Sequence, residues 1–134
     1  MTKRNLFDRI VINSSNIHRI LGENEPSVEA ERYSAEISQN TRERNGLPQF
    51  NLVMLGMGDD GHTASVFPGN TDLLISDKIC EVAINPYNRQ KRITVTGRVI
   101  NNADNVIFMV TGTKKAAIIE SIFKGKPEAS EYPA

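Results

Sequence analysis

The sequence predicts an α/β fold with a largely parallel sheet, because short apolar runs alternate with segments of helical periodicity. Two of these runs, residues 50–55 and 105–110, are almost continuously apolar. Such runs are typical of strands that are buried on both faces. The chain has 134 residues, which predicts a single domain when domains average ~150 residues.

The first third of the chain contains two turn signals and one helical pattern. The Asn/Ser cluster at residues 13–16 and the Gly-Glu-Asn-Glu-Pro break at residues 22–26 predict turns. Ala30, Tyr33 and Ile37 recur at helical spacing and predict a helix over residues 27–39. Asn24 or Ser27 offers its N-cap. Residues 45–48 then predict a loop.

The following elements alternate between strand and helix. Residues 62–67 predict a short helix that stops at Pro68. Residues 79–84 and 93–96 predict strands, with a polar loop at residues 86–92 between them. Residues 113–124 predict a helix with one apolar face, a favourable Glu120–Lys124 pair and an end at Gly125.

The composition excludes several classes of protein. Sixteen Lys and Arg residues balance sixteen Asp and Glu residues, so binding to nucleic acid or to a membrane surface through bulk charge is not expected. No apolar run approaches the ~20 residues of a membrane span. Cys80 is the single cysteine, so no intrachain disulfide can form and a cytoplasmic location is predicted.

The main candidates for catalytic and ligand-binding residues lie in a glycine-rich loop directly after the first predicted buried strand. Residues 55–65 read Leu-Gly-Met-Gly-Asp-Asp-Gly-His-Thr-Ala-Ser. Ligands of open α/β sheets bind beyond the carboxyl ends of the strands. Glycines allow backbone N–H groups to approach an anion or a carbonyl oxygen closely. A helix starting near Asp60 or Gly61 would add its positive N-terminus.

His62 is the candidate general base of this loop. A histidine that follows two carboxylates can take a proton from water, and Asp59 or Asp60 could hold its ring and stabilise the imidazolium. The same residues also fit a structural role, in which Asp60 caps a helix and His62 bonds locally. The local sequence leaves both interpretations open.

Other chemistries fit the loop less well. Its Gly-x-Gly-x-x-Gly spacing matches the dinucleotide pattern, but Asp59 and Asp60 would then face the pyrophosphate. A metal site needs three or four ligands, and His18 and Cys80 do not complete one near the loop, so no metal is predicted. Ser65 lacks the Gly-x-Ser-x-Gly surroundings of a serine nucleophile. Cys80, within an apolar strand, is predicted to be a core residue.

Two groups of cations could bind an anionic substrate. Arg89, Lys91 and Arg92 precede a predicted strand, and Lys114 and Lys115 open a predicted helix. Lysines at a helix N-terminus oppose the helix dipole, which suggests an electrostatic use. Arg89, Lys91 and Lys114 are interpreted as solvated charges, whereas Arg92 and Lys115 stay open as ligands of an anion.

The glycine loop and its flanks resemble the 6-phosphogluconolactonases. Residues 55–69, Leu-Gly-Met-Gly-Asp-Asp-Gly-His-Thr-Ala-Ser-Val-Phe-Pro-Gly, are similar to the signature of that family. The glucosamine-6-phosphate isomerase/deaminases share its Gly-x-Gly-x-Asp-Gly-His core, but the seven residues after the histidine resemble the lactonase version. Residues 92–96 resemble the family's Arg-x-Thr strand, and residues 110–116 resemble its Gly-x-x-Lys-Ala segment. Residues 16–20 and 30–33 match the stretch that precedes the signature.

The resemblance implies a Rossmann-like α/β fold, a mostly parallel sheet flanked by helices, here incomplete. It implies hydrolysis of 6-phosphoglucono-δ-lactone to 6-phosphogluconate in the pentose phosphate pathway, without an organic cofactor. His62 would be the general base and Asp60 its helper. The implied substrate-binding residues are three glycines and two cations: Gly56, Gly58, Gly61, Arg92 and Lys115.

The resemblance also implies that residues 1–134 are a single partial domain without the N-terminal half and the final C-terminal element. The family carries an Asp-Glu-Arg segment, whose arginine contributes to phosphate binding, and a Ser-Asn pair ahead of the part seen here. A sheet edge left exposed would favour self-association. The expected partner is a sugar-phosphate lactone. Two alternatives are a glucosamine-6-phosphate isomerase/deaminase and a non-catalytic fragment that binds sugar phosphates.

Overall fold

A computed structural model describes residues 2–134 and shows a mixed α/β fold. The helices are α1 (Thr2–Asn5), α2 (Pro26–Asn40), α3 (Asp72–Ile75), α4 (Gly97–Asn101) and α5 (Ala116–Phe123). The strands are β1 (Arg42–Arg44), β2 (Leu47–Gln49), β3 (Val53–Leu55), β4 (Cys80–Ile84), β5 (Lys91–Val95) and β6 (Val106–Phe108). Short 3₁₀ helices cover Phe7–Arg9, Ser14–Asn16, Thr113–Lys115 and Pro127–Glu131.

The strands of residues 2–134 form three two-stranded ladders. β3 and β6 are parallel, with Val53 opposite Val106, whereas β4 and β5 are antiparallel, with Cys80 opposite Val95. β1 and β2 are also antiparallel. The predicted α/β class is confirmed, but these residues do not form the expected mostly parallel sheet. Residues 85–90 alone join β4 to β5, and a parallel pair needs a crossover of about a dozen residues or more.

The predicted helix at residues 27–39 is confirmed as α2, but its cap differs from the prediction. The carboxylate of Glu25 accepts hydrogen bonds from the backbone N–H groups of Ser27 (2.9 Å) and Val28 (3.2 Å). Pro26 occupies the first turn, and a residue before proline is driven into the extended conformation that an N-cap requires. Asn24, one of the two expected caps, instead donates to Glu29 at 2.8 Å.

The main apolar core lies between α2 and the β4–β5 pair. Ala30 and Ile37 of α2 are buried against Cys80 of β4. Burial raises the pKa of the Cys80 thiol to about 11, so the thiolate nucleophile is suppressed. The interpretation of Cys80 as a core residue is therefore confirmed. A second cluster joins Val66, which follows the glycine loop, to Leu73 of α3 and Ala83 of β4.

Residues 45–48 do not form the predicted plain loop. Asn45 and Gly46 have φ angles of 57° and 76° and make the tight turn of a hairpin between β1 and β2. Both positions of such a turn need positive φ, which Asn-Gly supplies at little cost. The dipeptide is the sequence signal that predicts this hairpin.

The apolar strands β3 and β6 are more exposed than their composition predicts. Met54 is 60% exposed, Ile107 48% and Phe108 44%. An apolar run predicts a strand that is buried only when other elements pack against it. The elements of residues 2–134 leave these three side chains exposed to solvent.

Among the described residues, no helix combines the length and apolar character needed to cross a membrane.

Helix α5 ends where the sequence predicts. Gly125 has a φ of +60° and its N–H donates to the carbonyl of Ile122 (3.2 Å), while the Lys126 N–H donates to that of Ser121 (3.0 Å). Glycine tolerates this left-handed position at the end of a helix. The predicted Glu120–Lys124 pair closes to 2.5 Å.

Candidate active site

The parallel pairing of β3 and β6 brings two loops to one edge of the ladder. The glycine loop follows β3, and the segment leading to Lys115 follows β6. The Lys115 ammonium donates to the backbone carbonyl of Met57 and lies 4.0 Å from Asp59 Oδ1. The structure therefore brings Lys115 to the glycine loop, at the strand ends where ligands of α/β sheets bind.

Asp60 and His62 form a direct side-chain pair. Asp60 Oδ1 lies 2.6 Å from His62 Nδ1 and also accepts the backbone N–H of His62 at 3.0 Å. Asp59 is 72% exposed and lies beside Lys115 instead, so Asp60 is the carboxylate that supports the histidine. When Nδ1 carries the proton toward Asp60, Nε2 presents the free lone pair that a general base requires.

The hydroxyl of Tyr87 donates to Asp60 Oδ2 at 2.6 Å. Partial burial of Asp60 alone would raise the pKa of its carboxyl. The hydrogen bonds from Tyr87 and His62 outweigh that effect and hold the pKa of Asp60 below its ordinary value. The carboxylate is therefore ionised and can stabilise a positive imidazolium on His62.

Gly58 provides the space that the ring of His62 occupies. A Cβ at Gly58 would lie 2.1 Å from His62 Nδ1 and 2.7 Å from Asp60 Oδ1. Gly61 has a φ of +80°, and a Cβ there would meet the ring of Tyr132 at 2.6 Å. A Cβ at Gly56, in contrast, would meet no atom within 4 Å. Two of the three predicted glycines are thus required by the fold of the loop.

The helix predicted at residues 62–67 is wrong. Thr63 and Val66 pair across a tight turn, with N–H to carbonyl distances of 3.3 and 2.8 Å, and Ala64 has a φ of 49°. His62 therefore receives no field from a helix N-terminus.

Side-chain hydrogen bonds explain why this turn replaces the helix. The Thr63 hydroxyl donates to the carbonyl of Gly56 at 2.9 Å, closing the glycine loop on itself. The backbone N–H of Ser65 donates to the hydroxyl of Thr94 on β5 at 3.2 Å. These polar contacts compete with the hydrogen bonds that a helix would need.

Phe67 connects His62 to Arg92. Its ring is 1% exposed and lies 4.7 Å from the His62 ring, measured between centroids. The Arg92 guanidinium carbon lies 5.9 Å from the centroid of the same Phe67 ring, a distance typical of a cation–π contact. Arg92 is thus placed near the candidate base, whereas Arg89 and Lys91 are exposed, as expected for solvated charges.

A cleft of about 320 Å³ opens beside the glycine loop, within the range of small-molecule sites. Its lining residues are Met54, Leu55, Gly56, Met57, Gly58, His62 and Ala64. Arg92 and Lys115 do not line it. His18 pairs with Glu36 at 2.5 Å instead of joining the loop. Among the described residues, no three His, Cys, Asp or Glu side chains are grouped as metal ligands.

Sequence reasoning missed Tyr87 and Phe67 as site residues. Tyr87 lies in the segment interpreted only as a polar loop, and Phe67 in a segment interpreted as a helix. The contact between Tyr87 and Asp60 joins residues 27 positions apart, so no local spacing predicts it. The only signal is a hydroxyl-bearing aromatic residue in a loop beyond the carboxyl end of a strand.

Comparisons with known proteins agree on one family. A family model for glucosamine-6-phosphate isomerases/6-phosphogluconolactonase matches residues 1–134. A 6-phosphogluconolactonase of Treponema pallidum is 38% identical over 97% of this chain and 54% of its own length. One of Haemophilus influenzae is 42% identical over 96% of this chain and 53% of its own length.

Solved structures give the same result. The crystal structure of a devB protein matches with a TM-score of 0.92 and 41% identity, over 98% of this chain and 55% of that one. The 6-phosphogluconolactonase of Thermotoga maritima matches with a TM-score of 0.80 and 30% identity, over 93% and 54% of the two chains. The chain thus spans about half the length of the curated relatives that it matches.

Proposed function

The chain belongs to the family of glucosamine-6-phosphate isomerases and 6-phosphogluconolactonases, and we propose that it carries the catalytic loop of a 6-phosphogluconolactonase. The observation that carries this proposal is the Asp60–His62 pair, held at 2.6 Å in a loop beside an open cleft. The curated relatives named above are lactonases, which favours lactone hydrolysis over deamination of an amino-sugar phosphate. For the whole enzyme we propose the Rossmann-like, mostly parallel sheet.

In the proposed reaction, His62 Nε2 takes a proton from water as the water oxygen attacks the carbonyl carbon of 6-phosphoglucono-δ-lactone. Asp60 holds the ring through Nδ1 and stabilises the imidazolium that forms. The tetrahedral intermediate then breaks the bond to the ring oxygen, which takes up the proton from the His62 imidazolium as it leaves and so restores the neutral base. The product is 6-phosphogluconate, and its formation needs neither a metal nor an organic cofactor.

The glycines have different parts in this proposal. The N–H groups of Gly58 and Gly61 already donate within the loop, to the carbonyls of His62 (2.8 Å) and Gly58 (3.2 Å). Their part in the proposed reaction is to shape the loop that carries His62. The backbone of Gly56, which lines the cleft, is the part of the glycine loop that we propose to face the substrate.

Arg92 and Lys115 are the proposed phosphate ligands. Arg92 extends from β5 over Phe67, and Lys115 reaches the glycine loop from beyond β6. The two cations therefore approach the loop that carries His62 from two different strands. Lys115 now bonds the Met57 carbonyl, so on substrate binding it would exchange this partner for a phosphate oxygen, which is the stronger acceptor.

Replacing Arg92 with methionine is expected to raise KM for 6-phosphoglucono-δ-lactone by about tenfold, because one charge-assisted hydrogen bond to the phosphate is lost. Hydrolysis of glucono-δ-lactone, which has no phosphate, should change little. Initial rates on both lactones, measured in the full-length protein after subtraction of spontaneous opening, test this expectation.

Arg19→Met is the matched control, since Arg19 pairs with Glu23 on the surface. An equal loss on both lactones would contradict a phosphate role for Arg92. Calorimetry that shows binding of sugar phosphates, together with no turnover of either lactone, would contradict the lactonase function itself and favour a binding module.

The cytoplasmic location and the self-association through a sheet edge stay predictions.

A further inference from the structure

The two carboxylate oxygens of Asp60 have different partners. Oδ1 faces His62 Nδ1 at 2.6 Å, and Oδ2 accepts the Tyr87 hydroxyl at 2.6 Å. A carboxylate held at one oxygen only can rotate about its side-chain bond. Hydrogen bonds at both oxygens fix its plane, and so fix the direction in which Oδ1 meets the imidazole.

The loop that carries Tyr87 is itself held in place. Asn85, at 7% exposure, accepts the backbone N–H groups of Tyr87 (2.8 Å) and Asn88 (3.4 Å) through Oδ1. Its own N–H donates to the carbonyl of Gln90 at 2.9 Å. Tyr87 is 72% exposed, so burial does not hold its ring. The loop and the bond to Asp60 define its position.

We propose that Tyr87 is a positioning residue that orients the Asp60 carboxylate toward His62. This inference rests on the proposed lactonase function and assigns the reaction a residue outside the glycine loop. Tyr87 acts only through Asp60: it holds the carboxylate in the plane where Oδ1 accepts the Nδ1 proton. With Nδ1 held by Asp60, Nε2 is the nitrogen left for the water of the proposed reaction.

Replacement of Tyr87 by phenylalanine removes the hydroxyl and keeps the ring. We expect kcat on 6-phosphoglucono-δ-lactone to fall about three- to tenfold, because the exposed hydrogen bond to the Asp60 carboxylate is lost. KM should stay nearly unchanged, because no contact with the substrate is removed. The pKa of Asp60, followed by ¹³C NMR of its carboxyl in the full-length protein, should rise toward its ordinary value. Tyr33→Phe is the control, since its hydroxyl bonds the His18 carbonyl outside the site.

Two results would overturn this proposal. Unchanged kcat together with an unchanged Asp60 pKa would show that the hydroxyl does not hold the carboxylate. A rise in KM at constant kcat would make Tyr87 a substrate contact instead. If the unmodified protein hydrolyses no lactone, the proposed function fails by itself. The Asp60 pKa in Tyr87→Phe still decides whether Tyr87 orients that carboxylate.

Discussion

Replacing His62 with asparagine is expected to lower kcat on 6-phosphoglucono-δ-lactone about 10²–10⁴-fold, the usual contribution of a general base. Asparagine keeps a polar group beside Asp60 but has no nitrogen that can take a proton from water. The fold of the loop should survive, because neither of its closing bonds uses the imidazole: the Thr63 hydroxyl donates to the Gly56 carbonyl, and the Gly58 N–H donates to the backbone carbonyl of residue 62. Initial rates of acid release at constant pH, corrected for spontaneous opening of the lactone, measure the effect.

His18→Asn is the matched control for the loss of a histidine. His18 pairs with Glu36 on α2 and not with a residue of the glycine loop. Its replacement should therefore leave kcat within about twofold of the unmodified rate, as expected of a residue that does not take part in the reaction. An undiminished rate in His62→Asn would rule out His62 as the base.

Adding one methyl group at Gly58 is expected to lower kcat by about 10²-fold or more, because displacement of a reacting group by an ångström has that effect. The new Cβ would lie 2.1 Å from His62 Nδ1, 2.2 Å from Cε1 and 2.7 Å from Asp60 Oδ1, so the ring must shift from its present position. The substitution therefore disturbs the Asp60–His62 pair without removing either side chain.

Gly22→Ala is the control for the extra methyl group, since a Cβ there meets no atom within 4 Å. Rates and thermal unfolding of the two variants should be compared. We expect Gly58→Ala to lose activity with its helical circular dichroism retained, and Gly22→Ala to lose neither. A fully active Gly58→Ala would show that the close approach of Gly58 to His62 is not needed.

The fold of the longer elements follows from local sequence, whereas the turn after His62 does not. Helix α2 and strand β4 appear close to their predicted ranges because apolar periodicity matches the surface that each element buries. The turn at Thr63 depends on Thr94, whose hydroxyl binds the Ser65 N–H from 29 residues away. No pattern within residues 62–67 contains that contact.

The candidate site likewise contains residues that local sequence predicts and residues that only the fold brings together. His62 and its carboxylate could be predicted because they are two residues apart on one loop. The sequence could not distinguish Asp59 from Asp60, since that choice depends on which carboxylate the loop turns inward. Tyr87 reaches Asp60 only because the β4–β5 hairpin brings its loop there.

Apolar composition predicted the strands but not their surroundings. β3 and β6 pair in parallel as expected, yet Met54 and Ile107 stay exposed. Burial depends on what packs against a strand, and the chain spans only about half the length of the curated relatives. The parallel pair nevertheless places the glycine loop and Lys115 together at one edge.

The most direct test of the proposed lactonase is to offer the unmodified full-length protein two sugar phosphates in parallel. Acid release from 6-phosphoglucono-δ-lactone and ammonia release from glucosamine 6-phosphate are both followed against reactions without protein. The Asp60–His62 pair and the lactonase relatives predict accelerated lactone opening without ammonia. Ammonia release, or lactone opening at the spontaneous rate alone, would contradict it.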